Sequence, residues 1–130
     1  MNNQHQKPRI LIVDDIVVNL KLLRQILRDD YLISFASSGP KALEIIAMQQ
    51  PDLILLDIMM PEMDGFEVCQ RIKANPVTSE IPIIFITANE DVVDSLKDFD
   101  QTGIDYILKP VEAAIVLEKI QRFLGLSAKE

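Results

Sequence analysis

The chain has few of the residues and runs that mark several common classes of protein. Cys69 is its only cysteine, so no intrachain disulfide can form, and a reducing cytosol is the expected location. Its four glycines form neither G-x-G-x-x-G nor G-x-x-x-x-G-K-S/T, which argues against a nucleotide- or flavin-binding module. No apolar run approaches the ~20 residues of a membrane helix. We therefore expect no insertion into a membrane.

The charge balance also limits the partners of the chain. Thirteen Lys and Arg against twenty Asp and Glu give a formal net charge of −7, and the basic residues form no cluster in the sequence. Direct binding to nucleic acid is therefore not expected of this domain. With 130 residues, 48% of them hydrophobic, the composition fits one globular domain. We place it at residues 9–125, between a flexible N-terminal tail at 1–8 and a C-terminal tail or linker at 126–130.

Short apolar runs alternate five times with segments of helical periodicity. This alternation predicts a single-domain α/β fold of the (βα)5 type, with a five-stranded parallel sheet. The predicted strands are 10–13, 31–36, 53–56, 83–86 and 105–108. The helices after them are marked by apolar residues at helical spacing: Ile16, Leu20, Leu23 and Leu27; Leu43, Ile46 and Ala47; Phe66, Cys69 and Ile72; Val92, Leu96 and Phe99; and Ala113, Leu117, Ile120 and Leu124.

Acidic residues stand at the ends of the first and third predicted strands. Asp14 and Asp15 follow the first run, and Asp57 follows the third. The carboxyl ends of parallel strands border one crevice, so these three carboxylates are expected to converge. Adjacent like charges are costly unless a cation neutralises them, and Mg²⁺ prefers carboxylate, carbonyl and water oxygens. The alternative that Asp15 merely caps the first helix is reasonable for that residue but weak for all three.

Two further strand ends carry groups able to complete a site. Thr87 follows the fourth run and Lys109 follows the fifth. Asp57 is the best candidate for a nucleophile, because a carboxylate can attack phosphorus to form an acyl phosphate. Phosphoryl transfer needs alignment and positive charge against the phosphoryl oxygens, which Lys109 and a cation would supply. Either residue alone would be interpreted as an ordinary strand-end residue, but their joint occurrence favours a site for a cation and a phosphoryl group.

Four segments together resemble the CheY-like receiver domain of bacterial two-component response regulators. The resemblance covers about residues 9–125, and the segments follow the family's order: Ile10-Leu-Ile-Val-Asp-Asp15, Leu55-Leu-Asp-Ile-Met-Met-Pro-Glu-Met-Asp-Gly65, Ile86-Thr-Ala88 and Asp105-Tyr-Ile-Leu-Lys-Pro110. It implies a flavodoxin-like, doubly wound fold and a phosphoacceptor switch of a two-component phosphorelay, rather than a classical enzyme. Ile104 and Val111 differ from the residues common at these positions in the family, so the resemblance does not define the output surface.

The resemblance also implies how the acidic residues divide their roles. Asp57 would accept the phosphoryl group in a Mg²⁺-dependent reaction, with Mn²⁺ as a substitute. Asp14, Asp15, Asp57 and the backbone carbonyl of Met59 would bind the metal, and Asp15 is the stronger candidate of the adjacent pair for direct coordination.

The remaining implied roles concern the switch and its partners. Thr87 and Lys109 would bind the phosphoryl group, and Tyr106 would turn inward as Thr87 moves. The side chains of Met59 and Asn89 would tune the hydrolysis of the phosphoaspartate. The change would reach the surface of the fourth helix, fifth strand and fifth helix, which would control a downstream effector or a fused output domain. The phosphodonor would be a sensor histidine kinase or a histidine phosphotransfer protein, and the domain a cytoplasmic monomer or a weak phosphorylation-dependent dimer.

Other interpretations are weaker. A small aspartate-nucleophile phosphatase would carry a second Asp two residues after the nucleophile, where this chain has Met59. A receiver-like domain that no longer accepts phosphate is disfavoured because all five core residues are present. The motifs fit equally well a stand-alone regulator, a receiver within a larger response regulator and a receiver within a hybrid kinase.

Overall fold

A computed structural model of the chain describes residues 7–91 and 103–124. Its centre is a five-stranded parallel sheet with the strand order β2-β1-β3-β4-β5. The strands are β1 (Arg9–Val13), β2 (Leu32–Ala36), β3 (Leu53–Asp57), β4 (Ile83–Thr87) and β5 (Ile104–Leu108). The predicted parallel α/β fold is confirmed, and β3 and β4 extend one residue further than predicted, to Asp57 and Thr87.

The described helices are α1 (Val17–Leu27), α2 (Gly39–Met48), α3 (Gly65–Ala74) and a C-terminal helix, Ala113–Leu124. The predicted fourth helix, marked by Val92, Leu96 and Phe99, lies outside the described residues. Within 7–91 and 103–124, no helix has the length and apolarity needed to cross a membrane.

Apolar side chains cover both faces of the sheet, as a doubly wound fold requires. In β1, Leu11 and Val13 belong to the cluster that includes buried residues of α2 and α3. Ile10 and Ile12 belong to the opposite cluster, with buried residues of α1 and the C-terminal helix. All five residues of β3 and of β4 are buried. Burial on both faces explains why these strands are continuous aliphatic runs rather than alternating ones.

Three residues expected at helical spacing in the core are instead exposed: Ile16, Ala47 and Ala113. Ile16 has an extended backbone and precedes α1, so it does not share the buried face of that helix. Ala47 follows the buried residue Ile46 and therefore points to a different side of α2. Ala113 is the first residue of its helix, whose buried positions begin one turn later at Val116.

The strand order fixes where a site can form. Because β1 lies between β2 and β3, the chain leaves it in one direction to reach β2 and then crosses to its other side for β3. In open α/β sheets, ligands bind in the crevice at such a switch point, outside the carboxyl ends of the strands. The residues just after β1 and the last residue of β3 therefore lie where proteins with this type of sheet bind their ligands.

Candidate functional site

Three carboxylates meet at the carboxyl ends of β1 and β3. Oxygens of Asp14, Asp15 and Asp57 all lie within 4.8 Å of one another. Asp14 is 2% exposed and Asp57 is 4% exposed, so two of the three are removed from solvent. Carboxylates this close repel one another when ionised, and burial strengthens the repulsion. The arrangement is therefore suited to a hard cation with oxygen ligands.

The adjacent acidic residues have different partners. Asp14 Oδ1 accepts a hydrogen bond of 2.9 Å from the Ile16 N–H, just before α1 begins. Asp15 does not cap α1, because no side chain caps this helix at its N-cap residue. Asp15 Oδ1 is instead a buried oxygen without a hydrogen-bond partner among the described residues. Buried polar atoms are nearly always paired, so this oxygen fits a metal ion or a metal-bound water.

Lys109 brings a positive charge to the carboxylates from the end of β5. Its Nζ lies 3.8 Å from Asp14 Oδ2 and 3.7 Å from Asp57 Oδ1. Three carboxylates against one ammonium leave two negative charges uncompensated at this site within the described part of the chain. The Lys109 N–H donates to the Thr87 carbonyl at 2.9 Å, which ties the ends of β4 and β5 together, and the Lys109–Pro110 peptide bond is cis.

Asp57 ionises less readily than an ordinary aspartate. Burial, followed by the negative charge of Asp14, raises its pKa from 3.8 to about 6. Asp15 adds to this rise, while the Lys109 ammonium and a hydrogen bond from the Met59 backbone lower the pKa. The pKa is therefore raised mainly because burial disfavours the charged carboxylate, and the nearby Asp14 and Asp15 add to the rise. A bound divalent cation would oppose this rise.

The end of β4 contributes a buried hydroxyl. Thr87 is fully buried, and its Oγ1 accepts a hydrogen bond of 3.1 Å from the Asn89 N–H. Asn89 is exposed, and its Oδ1 accepts from the Asp91 N–H at 2.9 Å. The backbone after β4 therefore holds the Thr87 hydroxyl, whose proton has no acceptor among the described residues and can serve as a donor.

The loop between β3 and α3 folds tightly beneath Asp57. Gly65 permits this, because a Cβ at that position would lie 2.5 Å from the Asp57 carbonyl oxygen and 2.8 Å from Ile58 Cα. Asp64 Oδ1 accepts from the Glu67 N–H at 3.0 Å and caps α3. This Asp-Gly pair ends a segment that resembles the receiver family, but the close backbone approach was not predicted from it. Asp-Gly just before an apolar helical pattern is the signal that could have found it.

Tyr106 lies apart from the carboxylates, on β5, three residues before Lys109. Its side chain is partly buried and packs against the cluster on the α2 and α3 face of the sheet. The Lys119 ammonium lies 5.7 Å from the centre of its ring. The structure thus brings Asp14, Asp15, Asp57 and Lys109 together, with Thr87 at the adjoining strand end. The Met59 backbone hydrogen-bonds to Asp57 and the Asn89 N–H hydrogen-bonds to Thr87, whereas Tyr106 lies apart on β5.

Comparison with known proteins agrees with this arrangement. The response regulator PleD of Caulobacter vibrioides is 40% identical over 114 residues, which cover 87% of this chain and 25% of PleD. The receiver domain of a signal transduction histidine kinase from Syntrophus aciditrophicus is 31% identical, with a TM-score of 0.82 and 95% of each chain covered. The receiver domain of a sensor histidine kinase from Pseudomonas aeruginosa PAO1 is 29% identical, with a TM-score of 0.82 and coverage of 92% of this chain and 98% of that one. That structure has a magnesium ion coordinated in the active-site cleft.

The match to a protein family covers most of the chain. Residues 10–121 match the response regulator receiver domain. The chain spans 25% of the length of PleD and 52% of the length of the transcriptional regulatory protein AfsQ1 of Streptomyces coelicolor. With its parallel five-stranded fold and its acidic crevice, the chain belongs to the response regulator receiver domain family of two-component signalling systems.

Proposed function

We propose that the domain accepts a phosphoryl group on Asp57 from a phosphohistidine and works as a phosphorylation-controlled switch. The observation that carries this proposal is the convergence of a nearly buried carboxylate, two further carboxylates and the Lys109 ammonium at one crevice. A carboxylate with a pKa of about 6 is mostly ionised at neutral pH, as a nucleophile must be. Membership of the receiver family supports the signalling role.

The chemical step requires little from the protein beyond alignment and charge. An oxygen of Asp57 forms a bond to phosphorus as the bond from phosphorus to the histidine nitrogen breaks. The electron pair of the broken bond stays on that nitrogen, and the imidazole, protonated on its other nitrogen, leaves neutral. Lys109, already 3.7 Å from Asp57 Oδ1, stabilises the negative charge on the transferred phosphoryl oxygens, and the Thr87 hydroxyl donates to one of them.

The residues present fit a divalent metal. Asp15, Asp14 and Asp57 would hold Mg²⁺ together with the Met59 carbonyl, and Mn²⁺ would substitute for it. When bound, the ion supplies positive charge that reduces repulsion between Asp57 and the phosphoryl group. The unpaired Asp15 Oδ1 and the two uncompensated negative charges support this assignment.

The output follows from the groups around the crevice. Phosphorylation would add nearly two negative charges beside Thr87 and Lys109. Movement of Thr87 would let Tyr106 turn inward and alter the surface of the fourth helix, β5 and the C-terminal helix. Exposed Met59 and Asn89 flank the crevice and would set how readily water reaches the acyl phosphate. The target would be a downstream effector or a fused output domain.

Replacing Lys109 tests the proposed site. With acetyl phosphate and Mg²⁺, we expect wild-type protein to gain the mass of one phosphoryl group, and chelation of Mg²⁺ to prevent the gain. Lys109→Met should slow the gain roughly tenfold or more, because it removes positive charge from the transition state. Lys41→Met is the matched control, since Lys41 is exposed on α2 and pairs only with its helical neighbour Glu44 among the described residues. Equal rates for the two variants would contradict the assigned role of Lys109.

The surface beside the crevice indicates what kind of phosphodonor fits. Ile16, Val17 and Val18 expose apolar side chains around the start of α1. Leu22, exposed one turn after Val18, lines a cavity of about 300 Å³ together with Asp14 and Lys109. Contiguous exposed apolar surface marks a protein interface. Further along α1, the exposed face carries Lys21, Arg24 and Arg28, although the chain as a whole has a net charge of −7. The sensor kinase or phosphotransfer protein would therefore present an apolar surface flanked by acidic residues.

Charge reversal on α1 tests this docking surface. Lys21→Glu should slow phosphoryl transfer from a purified kinase or phosphotransfer protein that labels the wild type, by about tenfold at low salt. The rate with acetyl phosphate should not change, because this donor needs no docking surface. Lys41→Glu makes the same charge change on α2 and should leave both rates unaltered. The surface is wrongly assigned if Lys21→Glu and Lys41→Glu behave alike with the protein donor.

A further inference from the structure

We infer that Lys119 is a positioning residue that holds the Tyr106 ring in its resting orientation and thereby sets how readily the switch responds. This inference rests on the proposed function, since it concerns the aromatic residue of the same switch. Lys119 belongs to the C-terminal helix, whereas Tyr106 belongs to β5, so their contact joins two elements of the proposed output surface.

The contact is part of a closed group of three residues. The Lys119 Nζ lies 5.7 Å from the centre of the Tyr106 ring, within the range of a cation–π interaction. The same ammonium lies 2.9 Å from Asp105 Oδ2. Asp105 Oδ1 in turn accepts the Tyr106 backbone N–H at 2.7 Å. Asp105 thus fixes both the backbone of Tyr106 and the cation that covers its ring.

Partial burial makes the interactions within this group stronger than those of an ordinary surface ion pair. The side chains of Asp105 and Lys119 are each 21% exposed, whereas the Lys41–Glu44 pair on α2 is 57% and 63% exposed. Solvent and salt therefore screen the Asp105–Lys119 pair less. The ion pair immobilises the lysine, so little further ordering is needed for its contact with the ring.

The contact favours one orientation of the ring over the other. We take the described orientation, partly buried with the ammonium over the ring, as the resting one. Asp105 holds the ammonium in place, so a ring that turned further inward would move out from beneath it. The ion pair would persist in both states, but the cation–π contact would exist in the resting state alone. An interaction made in one state shifts the equilibrium toward that state by its own strength. Removal of Lys119 should therefore make the inward orientation more accessible before any phosphoryl group arrives.

A purely structural role for Lys119 has a different consequence. If the residue merely ties β5 to the C-terminal helix, its loss would lower the melting temperature without changing the orientation of Tyr106. The sequence offers a direct way to observe this ring, because the chain has two tyrosines and no tryptophan. Tyr31 is the other one, and Phe should replace it with little disturbance because it keeps the buried ring and removes only the hydroxyl. In a Tyr31→Phe background, Tyr106 is the sole tyrosine.

The experiment compares three variants in that background, each labelled with 3-fluorotyrosine and followed by fluorine NMR. Lys119→Met removes the cation and keeps an apolar stem of similar length. Lys119→Arg keeps the cation and should restore the parent behaviour. Lys41→Met makes the same charge change on α2, away from the ring, and controls for net charge. Beryllofluoride with Mg²⁺ serves as the stable mimic of the phosphoryl group and gives the reference position of the switched state.

We expect the Tyr106 signal of free Lys119→Met protein to shift toward its beryllofluoride-bound position. Beryllofluoride should also bind about two- to fivefold more tightly to this variant than to Lys41→Met, which is the strength of an exposed cation–π contact expressed as an affinity ratio. If Lys119→Met matches Lys41→Met in both measurements, the inference is wrong, whatever happens to the melting temperature. Failure of the parent protein to bind beryllofluoride would contradict the proposed function instead. The fluorine shift of the free variants would then decide the role of Lys119 alone.

Discussion

The Asp57→Asn variant should be more stable than the wild-type protein at pH 7 in metal-free buffer, by up to about 3 kcal/mol. The main reason is the burial of the Asp57 carboxylate, to which the neighbouring negative charges add. Burial and the neighbouring Asp14 raise its pKa from 3.8 to about 6, so the folded protein holds an ionised carboxylate that would be more favourable in the unfolded chain. Asparagine has nearly the same shape and carries no charge. The variant therefore loses the proposed phosphoacceptor and gains stability by the same substitution.

The pH dependence of this difference identifies its cause. The folded-state pKa of Asp57 lies above the unfolded value, so its contribution to stability is fully present below about pH 3.8 and is lost as the pH rises through about 6. The stability difference between Asp57→Asn and wild type should be near zero at the acidic end and reach a plateau above pH 7. Urea unfolding of both proteins across this range measures it. A difference that does not vary with pH, or a variant less stable than wild type at pH 7, would contradict this reading of the site.

Mg²⁺ should produce the second large effect, because we propose that it binds the folded site and not the unfolded chain. At a concentration one hundred times its dissociation constant, it should stabilise the wild-type protein by about 2.7 kcal/mol. Asp15→Asn should remove most of this gain, since the buried Asp15 Oδ1 has no hydrogen-bond partner among the described residues and fits the metal. A titration with Mg²⁺, followed by thermal unfolding, measures the effect.

A matched variant controls for the loss of one carboxylate. Asp29 is exposed beyond the C-terminal end of α1, and Asp29→Asn changes the net charge by the same amount as Asp15→Asn. Mg²⁺ should stabilise Asp29→Asn as strongly as wild type. An Asp15→Asn protein that responds fully to Mg²⁺ would show that Asp15 is not part of the metal site.

The sequence allowed much of this site to be predicted, because its residues stand at the ends of aliphatic runs. In a parallel sheet, Asp14, Asp57 and Lys109 must converge once the runs before them are recognised as strands. The structure places the Lys109 ammonium 3.8 Å from the Asp14 carboxylate and 3.7 Å from that of Asp57. The position of Asp57 as the last residue of β3, rather than the first beyond it, did not affect this prediction.

Features that depend on side-chain packing could not be predicted from the sequence. Nothing in the spacing of Tyr106 and Lys119 indicates that the ammonium lies over the ring, because the C-terminal helix had first to be placed against β5. The tight approach of Gly65 to the Asp57 carbonyl likewise depends on the path of a loop. Helical spacing placed Ile16 in the core, but the helix begins one residue later. In each case, the observed position depends on how the elements are arranged, which the local sequence pattern does not contain.

The most direct test of the central claim, that Asp57 is the phosphoacceptor, is to locate the phosphoryl group after treatment with acetyl phosphate and Mg²⁺. Borohydride converts an acyl phosphate of aspartate to homoserine, and peptide mass spectrometry then identifies the reduced residue. We predict homoserine in place of Asp57 and at no other aspartate, and none after Mg²⁺ has been removed by chelation. Unreduced Asp57 in a protein that has gained the mass of a phosphoryl group, or reduction of a different aspartate, would contradict the account.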